Sequence, residues 1–276
     1  MISTIYEYGT AAAEKAAIAV LRRGRIPQHI GFILDGNRRY ARKMGADTKS
    51  GHYKGFERLK KVVRFCVELG IQTVTVFAFS IENFKRSEEE VAYLMQLFRE
   101  LFSTIPEDES FAYYKVGVRV CGRLSCLPPD VVESAHEAMN RTMHNAERYL
   151  NICCAYTSRD EMATAIKENV HLVEEGEMNI DDITERSIQN HLFTSRSPPL
   201  DILVRTSGEI RLSDFLLWQS SDQCQIQILN CLWPEITLWE ILPVLLEYQI
   251  YRDTSRKNHN NNNNKTKPKT KNIAST

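Results

Sequence analysis

The stretch Ile30–Arg42, IGFILDGNRRYAR, ends an apolar run on one carboxylate and then places three arginines within five residues. Asp35 stands at the end of the run, Gly36 lets the backbone approach a ligand, and amides from Asn37 onward can face an anion at a helix start. Arg38, Arg39 and Arg42 are charge-assisted donors suited to phosphate oxygens. A carboxylate in such company suits Mg2+, which combines carboxylate and substrate phosphate oxygens and keeps several waters. Taken alone, the stretch fits an N-capping aspartate with solvated arginines equally well, because short motifs match by chance.

Other loaded positions follow. GHYKG (51–55) places His52 at the opening of a helical segment, where it can donate to an anion or act as an acid. FAFSIENFKR (77–86) ends a second apolar run with Ser80, Glu82, Asn83, Phe84, Lys85 and Arg86. VRTSGEIRLSDFLLWQ (204–219) supplies Arg205, Glu209, Arg211 and Ser213, and Arg205, Arg211 and Ser213 can clamp a second phosphate group. The alternative there is a polar loop whose arginines pair with Glu209 and Asp214. Together these groups suit two phosphorylated ligands meeting at one metal.

The elements that must carry them are legible. HIGFIL (29–34), TVTVFAF (73–79), VGVRVC (116–121), LNICCAY (150–156), DILVRT (201–206) and IQILNCLW (226–233) are β-rich and nearly continuously apolar, which suits strands buried on both faces. Helical patterns separate them at 52–69, 87–104, 130–148, 159–175, 184–193 and 238–248. Ser87 with Glu90, and Ser158 with Glu161, read as helix caps, and Pro106 bends or ends its helix. The alternation predicts an α/β fold, a single domain whose mostly parallel central sheet of about six strands is covered by helices on both faces. In such sheets ligands sit beyond the carboxyl ends of the strands, where the loaded segments fall. Val91, Leu94, Met95, Phe98, Leu101 and Phe102 form a helical apolar stripe, which suits plain core and would also wall an apolar tunnel.

The chain has 276 residues, 43% hydrophobic and 25% charged, with zero formal net charge. The charge is uneven. Residues 252–276 hold seven Lys/Arg against Asp253 alone, a net +6 that leaves −6 on residues 1–251 and argues against a nucleic-acid-binding body. Three regions follow: an N-terminal amphipathic helix in 1–25, the domain 26–251, and a basic, Asn-rich tail 252–276 whose composition predicts disorder. Cys66, Cys121, Cys126, Cys153, Cys154, Cys224 and Cys231 form no CxxC pattern and read as reduced thiols in a reducing compartment. No apolar run reaches the roughly 18 residues that span a bilayer.

HIGFILDGNRRYARK, GHYKGF, VFAFSIENFKRSEEEV, NICCAYTSRDE, DILVRTSGEIRLSDFLLWQ and LWPE resemble the cis-prenyltransferase (undecaprenyl diphosphate synthase) family in order and spacing over about 27–240. DGNRR, FSIENFKR and RTSGEIRLSDFLLWQ are most similar to its eukaryotic branch, the dehydrodolichyl diphosphate synthase catalytic subunits. The resemblance implies repeated condensation of isopentenyl diphosphate onto farnesyl diphosphate with cis geometry, to a long polyprenyl diphosphate for dolichol synthesis and protein glycosylation. It implies Mg2+ on Asp35, and an allylic diphosphate cradle of Gly36, Asn37, Arg38, Arg39, His52 and Arg86. It further implies an isopentenyl diphosphate site of Arg205, Arg211 and Ser213. Asp35, Asn83, Ser80 and His52 become the catalytic candidates, and Phe84, Leu94, Phe98, Leu101 and Phe102 the tunnel wall.

Three positions depart from the family pattern. Cys224 stands where bacterial members carry a metal-binding glutamate, Phe84 replaces a tryptophan, and Arg123 replaces a common aspartate. Single-subunit members also end on an Arg-x-Gly motif that enters the neighbouring subunit's extender site, whereas Gly208 is the last glycine here. The expectation is therefore a Nogo-B-receptor-like partner that supplies the motif, with the chain peripheral on the cytoplasmic face of the endoplasmic reticulum membrane. Residues 106–110 resemble the longer segment of long-chain enzymes.

The rival readings are weaker. A haloacid-dehalogenase-like phosphatase needs a second acid two residues from Asp35, and Ile33 and Asn37 stand there. A non-catalytic scaffold subunit would be expected to lose Asp35, His52 or the Arg205–Arg211–Ser213 set. No GxGxxG or GxxxxGK[ST] follows any strand, which disfavours a nucleotide-binding module.

Overall fold

The computed structural model describes residues 2–265. Its elements run α1 (Ile2–Leu21), β1 (His29–Ile33), α2 (Asn37–Lys43), α3 (Thr48–Leu69), β2 (Thr73–Ser80), α4 (Glu88–Thr104), α5 (Glu109–Tyr113), β3 (Val116–Cys121), α6 (Pro129–Thr142), β4 (Arg148–Tyr156), α7 (Ser158–Glu174), α8 (Glu185–Asn190), β5 (Ile202–Arg205), β6 (Gln225–Ile228) and α9 (Leu238–Lys265). The six strands form one sheet in the order β3-β4-β2-β1-β5-β6, and every pairing is parallel.

Each face of the sheet has its own core, as continuously apolar strands require. Ile30, Phe32, Val74, Val76, Val118, Leu150, Ile152, Ile202 and Val204 pack on one side with Leu59, Val63 and Val67 of α3, Phe98 and Phe102 of α4, and Ile241 and Leu245 of α9. Ile33, Cys121, Cys153 and Leu203 point the other way, against Tyr156, Phe215 and Leu216. The single-domain, six-stranded expectation matches this architecture. All seven cysteines are free.

Several boundaries differ from the sequence reading. The α7 cap is Thr157, whose hydroxyl accepts from Asp160 N, because the Ser158 hydroxyl is taken by Leu217 N. Ser87 caps α4 as expected, and α4 stops at Thr104, with Pro106 in a 3-10 turn. The helix expected to Arg148 ends at Thr142, and Asn145 turns away to donate to the Val116 carbonyl. The last strand ends at Ile228 because the chain must swing Trp233 under β1. Helical backbone continues past residue 252 to Lys265, where composition predicts no structure, and residues 266–276 lie outside the described residues.

His29 opens β1 fully buried, with Nδ1 against the Pro198 carbonyl (2.8 Å) and Nε2 against Thr75 Oγ1 (2.7 Å). Burial pushes its pKa from 6.5 down to about 4, against the opposing pull of Pro198 and Asp201. The unfolded chain therefore binds this proton more tightly. The stability conferred by neutral His29 is complete above about pH 6.5 and is lost as pH falls toward 4, worth about 3 kcal/mol. Thermal melts across that window are expected to show Tm declining with acid, and declining less steeply in His29→Gln.

Candidate active site

The site forms where the sheet reverses its winding. The chain leaves β1 toward β2 on one side and returns much later as β5 on the other, so the carboxyl ends of β1 and β5 flank a crevice. Register sets Ile33 level with Arg205, two residues short of Asp35. The guanidinium of Arg205, almost wholly buried, donates from Nη2 to Asp35 Oδ2 at 2.8 Å and from Nη1 to Ser213 Oγ at 2.7 Å. Its Nη1 also meets the Arg211 carbonyl. Arg39 Nη2 stands 3.4 Å from the other carboxylate oxygen of Asp35. Burial alone would raise the Asp35 pKa, but the bond and charge of Arg205, then those of Arg39, outweigh it and hold the group below its usual value. Asp35 is an ionised carboxylate.

Its backbone is fixed too. Thr206 Oγ1 (2.6 Å), Ser207 Oγ (2.9 Å) and Trp233 N (3.0 Å) all donate to the Asp35 carbonyl. Gly36 follows with φ 115°, a left-handed turn where an added Cβ would strike Ser207 Oγ. Gly51 and Gly55, one helical turn apart on α3, let Asn37 approach: a Cβ at either would lie 2.2 Å from an Asn37 oxygen. Both glycines of GHYKG thus serve packing against the turn after β1. Trp233, fully buried, donates its indole N–H to the Gly55 carbonyl (2.9 Å) and locks the same junction.

A polar cavity of about 610 Å³ opens over this turn, lined by Asp35, Gly36, Asn37, Arg38, Arg39, Arg42, His52, Arg86, Glu209 and Arg211, with Leu34 and Thr48. Five arginines face two carboxylates, an imbalance suited to an anion. His52 lies in the second turn of α3 rather than at its start, since Asp47 caps the helix and accepts from Ser50 N. His52 Nε2 stands 3.3 Å from Glu90 Oε1, which also accepts from Arg86 Nη1 at 2.8 Å. Burial lowers the His52 pKa, opposed by Glu90, so the ring favours its neutral form.

The expected residues do not all gather here. Arg211 lines the cavity, paired with Glu209 (2.5 Å), whereas Arg205 and Ser213 are absent from its lining and bond to each other. Ser80 and Asn83 form a capping box beyond β2: Ser80 Oγ accepts from Glu82 N (3.2 Å) and Asn83 Oδ1 from Ser80 N (3.0 Å). Neither lines the cavity. The tunnel set divides. Leu94, Phe98 and Leu101 line an apolar cavity of about 70 Å³ between α3 and α4 that shares Leu34, Asn37 and His52 with the polar one. Phe84 lies on a separate groove of about 540 Å³ beside Val91 and Met95, and Phe102 is fully buried core.

Among the described residues no cluster of three or more His, Cys, Asp or Glu could hold a metal by itself. The donors present nevertheless fit Mg2+, which needs only one carboxylate when substrate phosphates complete its shell. Asp35 is ionised and borders the cavity, and the buried Oδ1 of Asn37 beside it has no hydrogen-bond partner. Cys224, at the position of the bacterial glutamate that the resemblance places across the dimer, sits at the amino end of β6, and burial pushes its thiol up to about 12. Arg123, another of the three departures, pairs with the buried Asp160.

Sequence reasoning missed the network behind the 204–219 segment. Glu161, fully buried, accepts from Tyr156 OH (2.5 Å) and from Gln219 Nε2 (3.0 Å), which also donates to Thr194. Burial raises the Glu161 pKa. With the Ser158–Leu217 bond, this network holds a segment in which Ser213, Asp214 and Leu216 all have positive φ. The adjacent DE of TSRDE was the signal, read as a cap.

With the geometry in place, known proteins decide the lineage. A family model described as putative undecaprenyl diphosphate synthase matches residues 33–256. The chain belongs to this family. It is a cis-prenyltransferase, of the class that condenses isopentenyl diphosphate onto an allylic diphosphate. The dehydrodolichyl diphosphate synthase complex subunit of Homo sapiens is 44% identical over 88% of this chain and 73% of its own length. The corresponding Schizosaccharomyces pombe subunit is 42% identical over 86% of this chain and 90% of its own. The crystal structure of lavandulyl diphosphate synthase from Lavandula x intermedia, in complex with dimethylallyl diphosphate, superposes with a TM-score of 0.75 at 28% identity, covering 81% of this chain and 95% of that one.

The Asp35–Arg205 pair is open to a direct check. Asp35→Ala strands a buried guanidinium, and the expected loss is about 2 kcal/mol, or roughly 5 °C in Tm, below the figure for a fully buried pair because Asp35 is partly solvated. Asp35→Asn, which keeps an acceptor, should lose less. An unchanged melt for Asp35→Ala would mean that the pair is not engaged in solution.

Proposed function

We propose that this chain is the catalytic subunit of a heteromeric dehydrodolichyl diphosphate synthase, extending farnesyl diphosphate by repeated cis addition of isopentenyl diphosphate. The observation that carries the reading is the ionised Asp35 among five arginines, on a polar cavity that adjoins an apolar one. An amphiphile with a diphosphate head and a hydrocarbon tail needs both in contact.

The residues divide the work. Gly36, Asn37, Arg38, Arg39, His52 and Arg86 receive the allylic diphosphate, through backbone amides at the α2 start and through guanidinium donors. Asp35 would hold Mg2+ together with diphosphate oxygens, and the ion would supply positive charge against the charge developing on the leaving group. As the allylic carbon–oxygen bond breaks, its electron pair leaves with the diphosphate, and the arginines stabilise that charge. The extender's double bond supplies the pair for the new carbon–carbon bond, and a proton is then lost. Arg205, Arg211 and Ser213 are assigned to the extender's diphosphate. That assignment requires Arg211 to exchange Glu209 for substrate. Ser80 and Asn83 act by shaping the turn after β2, and Leu94, Phe98 and Leu101 take the growing tail, which must widen the small cavity between α3 and α4.

The partner is a Nogo-B-receptor-like subunit carrying the Arg-x-Gly motif, and the complex lies on the cytoplasmic face of the endoplasmic reticulum membrane. The relatives' designation as complex subunits supports the presence of a partner subunit. No helix among the described residues is long and apolar enough to cross a membrane.

Incorporation of labelled isopentenyl diphosphate onto farnesyl diphosphate with Mg2+, with and without such a partner, tests the proposal. Long product that depends on the partner, and a loss of about a hundredfold or more in Asp35→Ala, is expected. Strong product from the chain alone would remove the partner. No product in any combination would favour the scaffold reading. Leu101→Trp, which fills the apolar cavity, is expected to shorten the product as read by mass spectrometry.

A further inference from the structure

The segment after β5 has a backbone that few side chains tolerate. Ser213, Asp214 and Leu216 have φ of 52°, 62° and 45°, so three of four successive residues stand in the left-handed region without being glycine. Such residues persist only where their surroundings over-determine them. Arg211 and Ser213 lie in or beside this turn: Arg211 lines the polar cavity, and Ser213 Oγ accepts from Arg205 Nη1 at 2.7 Å.

What holds the turn is the start of α7, the TSRDE stretch that the chemistry above leaves unused. Ser158 bonds it twice: its backbone N–H donates to the Asp214 carbonyl (2.7 Å), and its hydroxyl accepts from Leu217 N (2.9 Å). Arg159 grips the Asp214 carboxylate, from its backbone N to Oδ1 (3.1 Å) and from Nε to Oδ2 (2.8 Å). Between these bonds Phe215, fully buried, stacks on Phe77 at 4.6 Å. Ser158, Arg159 and Asp214 do not line the cavity, so the clamp acts from behind it. The allylic cradle of Gly36, Asn37, Arg38, Arg39, His52 and Arg86 stands on other elements, and none of the clamp's bonds reaches it.

We propose that Ser158 and Asp214 are positioning residues for the extender: by clamping the left-handed turn to the start of α7, they hold Arg211 and Ser213 ready for the diphosphate of isopentenyl diphosphate. The proposal rests on the assignment of Arg211 and Ser213 to that diphosphate. A turn formed in advance spares the ligand the ordering of the loop. Without the Ser158 hydroxyl, Leu217 N loses its acceptor. Without the Asp214 carboxylate, Arg159 loses both its bonds to the turn. The turn is then free to relax toward ordinary φ, and isopentenyl diphosphate must restore it on binding, which weakens its affinity. Farnesyl diphosphate meets an unchanged cradle.

The test is calorimetric titration with isopentenyl diphosphate, and steady-state kinetics with each substrate varied, on the full chain with the partner subunit where activity requires it. Ser158→Ala and Asp214→Ala are expected to raise the Kd and KM for isopentenyl diphosphate about tenfold, while kcat and the KM for farnesyl diphosphate stay within about twofold. Asp214→Asn keeps an acceptor for Arg159 N and tolerates positive φ, so its KM should stay within about threefold of wild type. A lowered Tm with both KM values unchanged, or an equal rise in both, would make the clamp merely structural and overturn the proposal. If Ser158→Ala does not fold, the Asp214 variants decide alone: equal KM values for isopentenyl diphosphate in Asp214→Ala and Asp214→Asn overturn it. Failure of the enzymatic reading looks different, since wild type itself would then bind no isopentenyl diphosphate and form no product, and this proposal would fall with it.

Discussion

One ion pair organises the catalytic end of this molecule. Arg205 enters at the end of β5 with almost no access to water, and Asp35 is the carboxylate that meets it. A guanidinium buried there without a partner would be strongly unfavourable, so the β1 turn must deliver the acid to that spot. The remaining local features then have reasons. Thr206, Ser207 and Trp233 hold the Asp35 carbonyl, Gly36 makes the turn, and Gly51 and Gly55 leave room for Asn37.

The same pair sets the electrostatics of the cavity. Asp35 and Glu209 each balance part of a strongly basic wall, through Arg205, Arg39 and Arg211. Arg38 and Arg42 form no ion pair among the described residues and stay available to an incoming anion. The wall is positive enough to attract diphosphate yet internally bonded enough to keep its shape. Where Leu34 and His52 end it, polar lining gives way directly to leucine and phenylalanine. That boundary is where the reacting carbon of an amphiphilic substrate would be held.

Much of this was legible in the sequence, for identifiable reasons. Continuous apolar runs located all six strands, because a sheet covered on both faces leaves no alternation to blur them. Strand ends located Asp35, Arg205 and Arg86, because ligands in such sheets collect there. What sequence could not show was partnership across the chain. Asp35 reads as free for metal and Arg205 as free for phosphate, yet they bond to each other. Ser80 and Asn83 read as catalytic groups, and they form a local turn. Glu161 was hidden because a buried acid looks like a capping one until its tyrosine and glutamine partners are in view. The small cavity beside Phe98 is likewise a matter of packing, since a helical stripe is identical whether it faces core or void.

The separation of 170 residues between Asp35 and Arg205 has a further consequence, for the order of assembly. Neither β5 nor its arginine exists as a neighbour of β1 until most of the chain has been synthesised and the intervening strands have taken their places. Long-range parallel pairing is slow, because loop closure must precede the contacts that reward it. The Asp35–Arg205 pair is therefore among the last contacts to form, and until then Asp35 lacks the partner that fixes it. A ligand that needs this pair together with Glu209 and Arg211 beside it would add to the stability of the finished sheet by mass action.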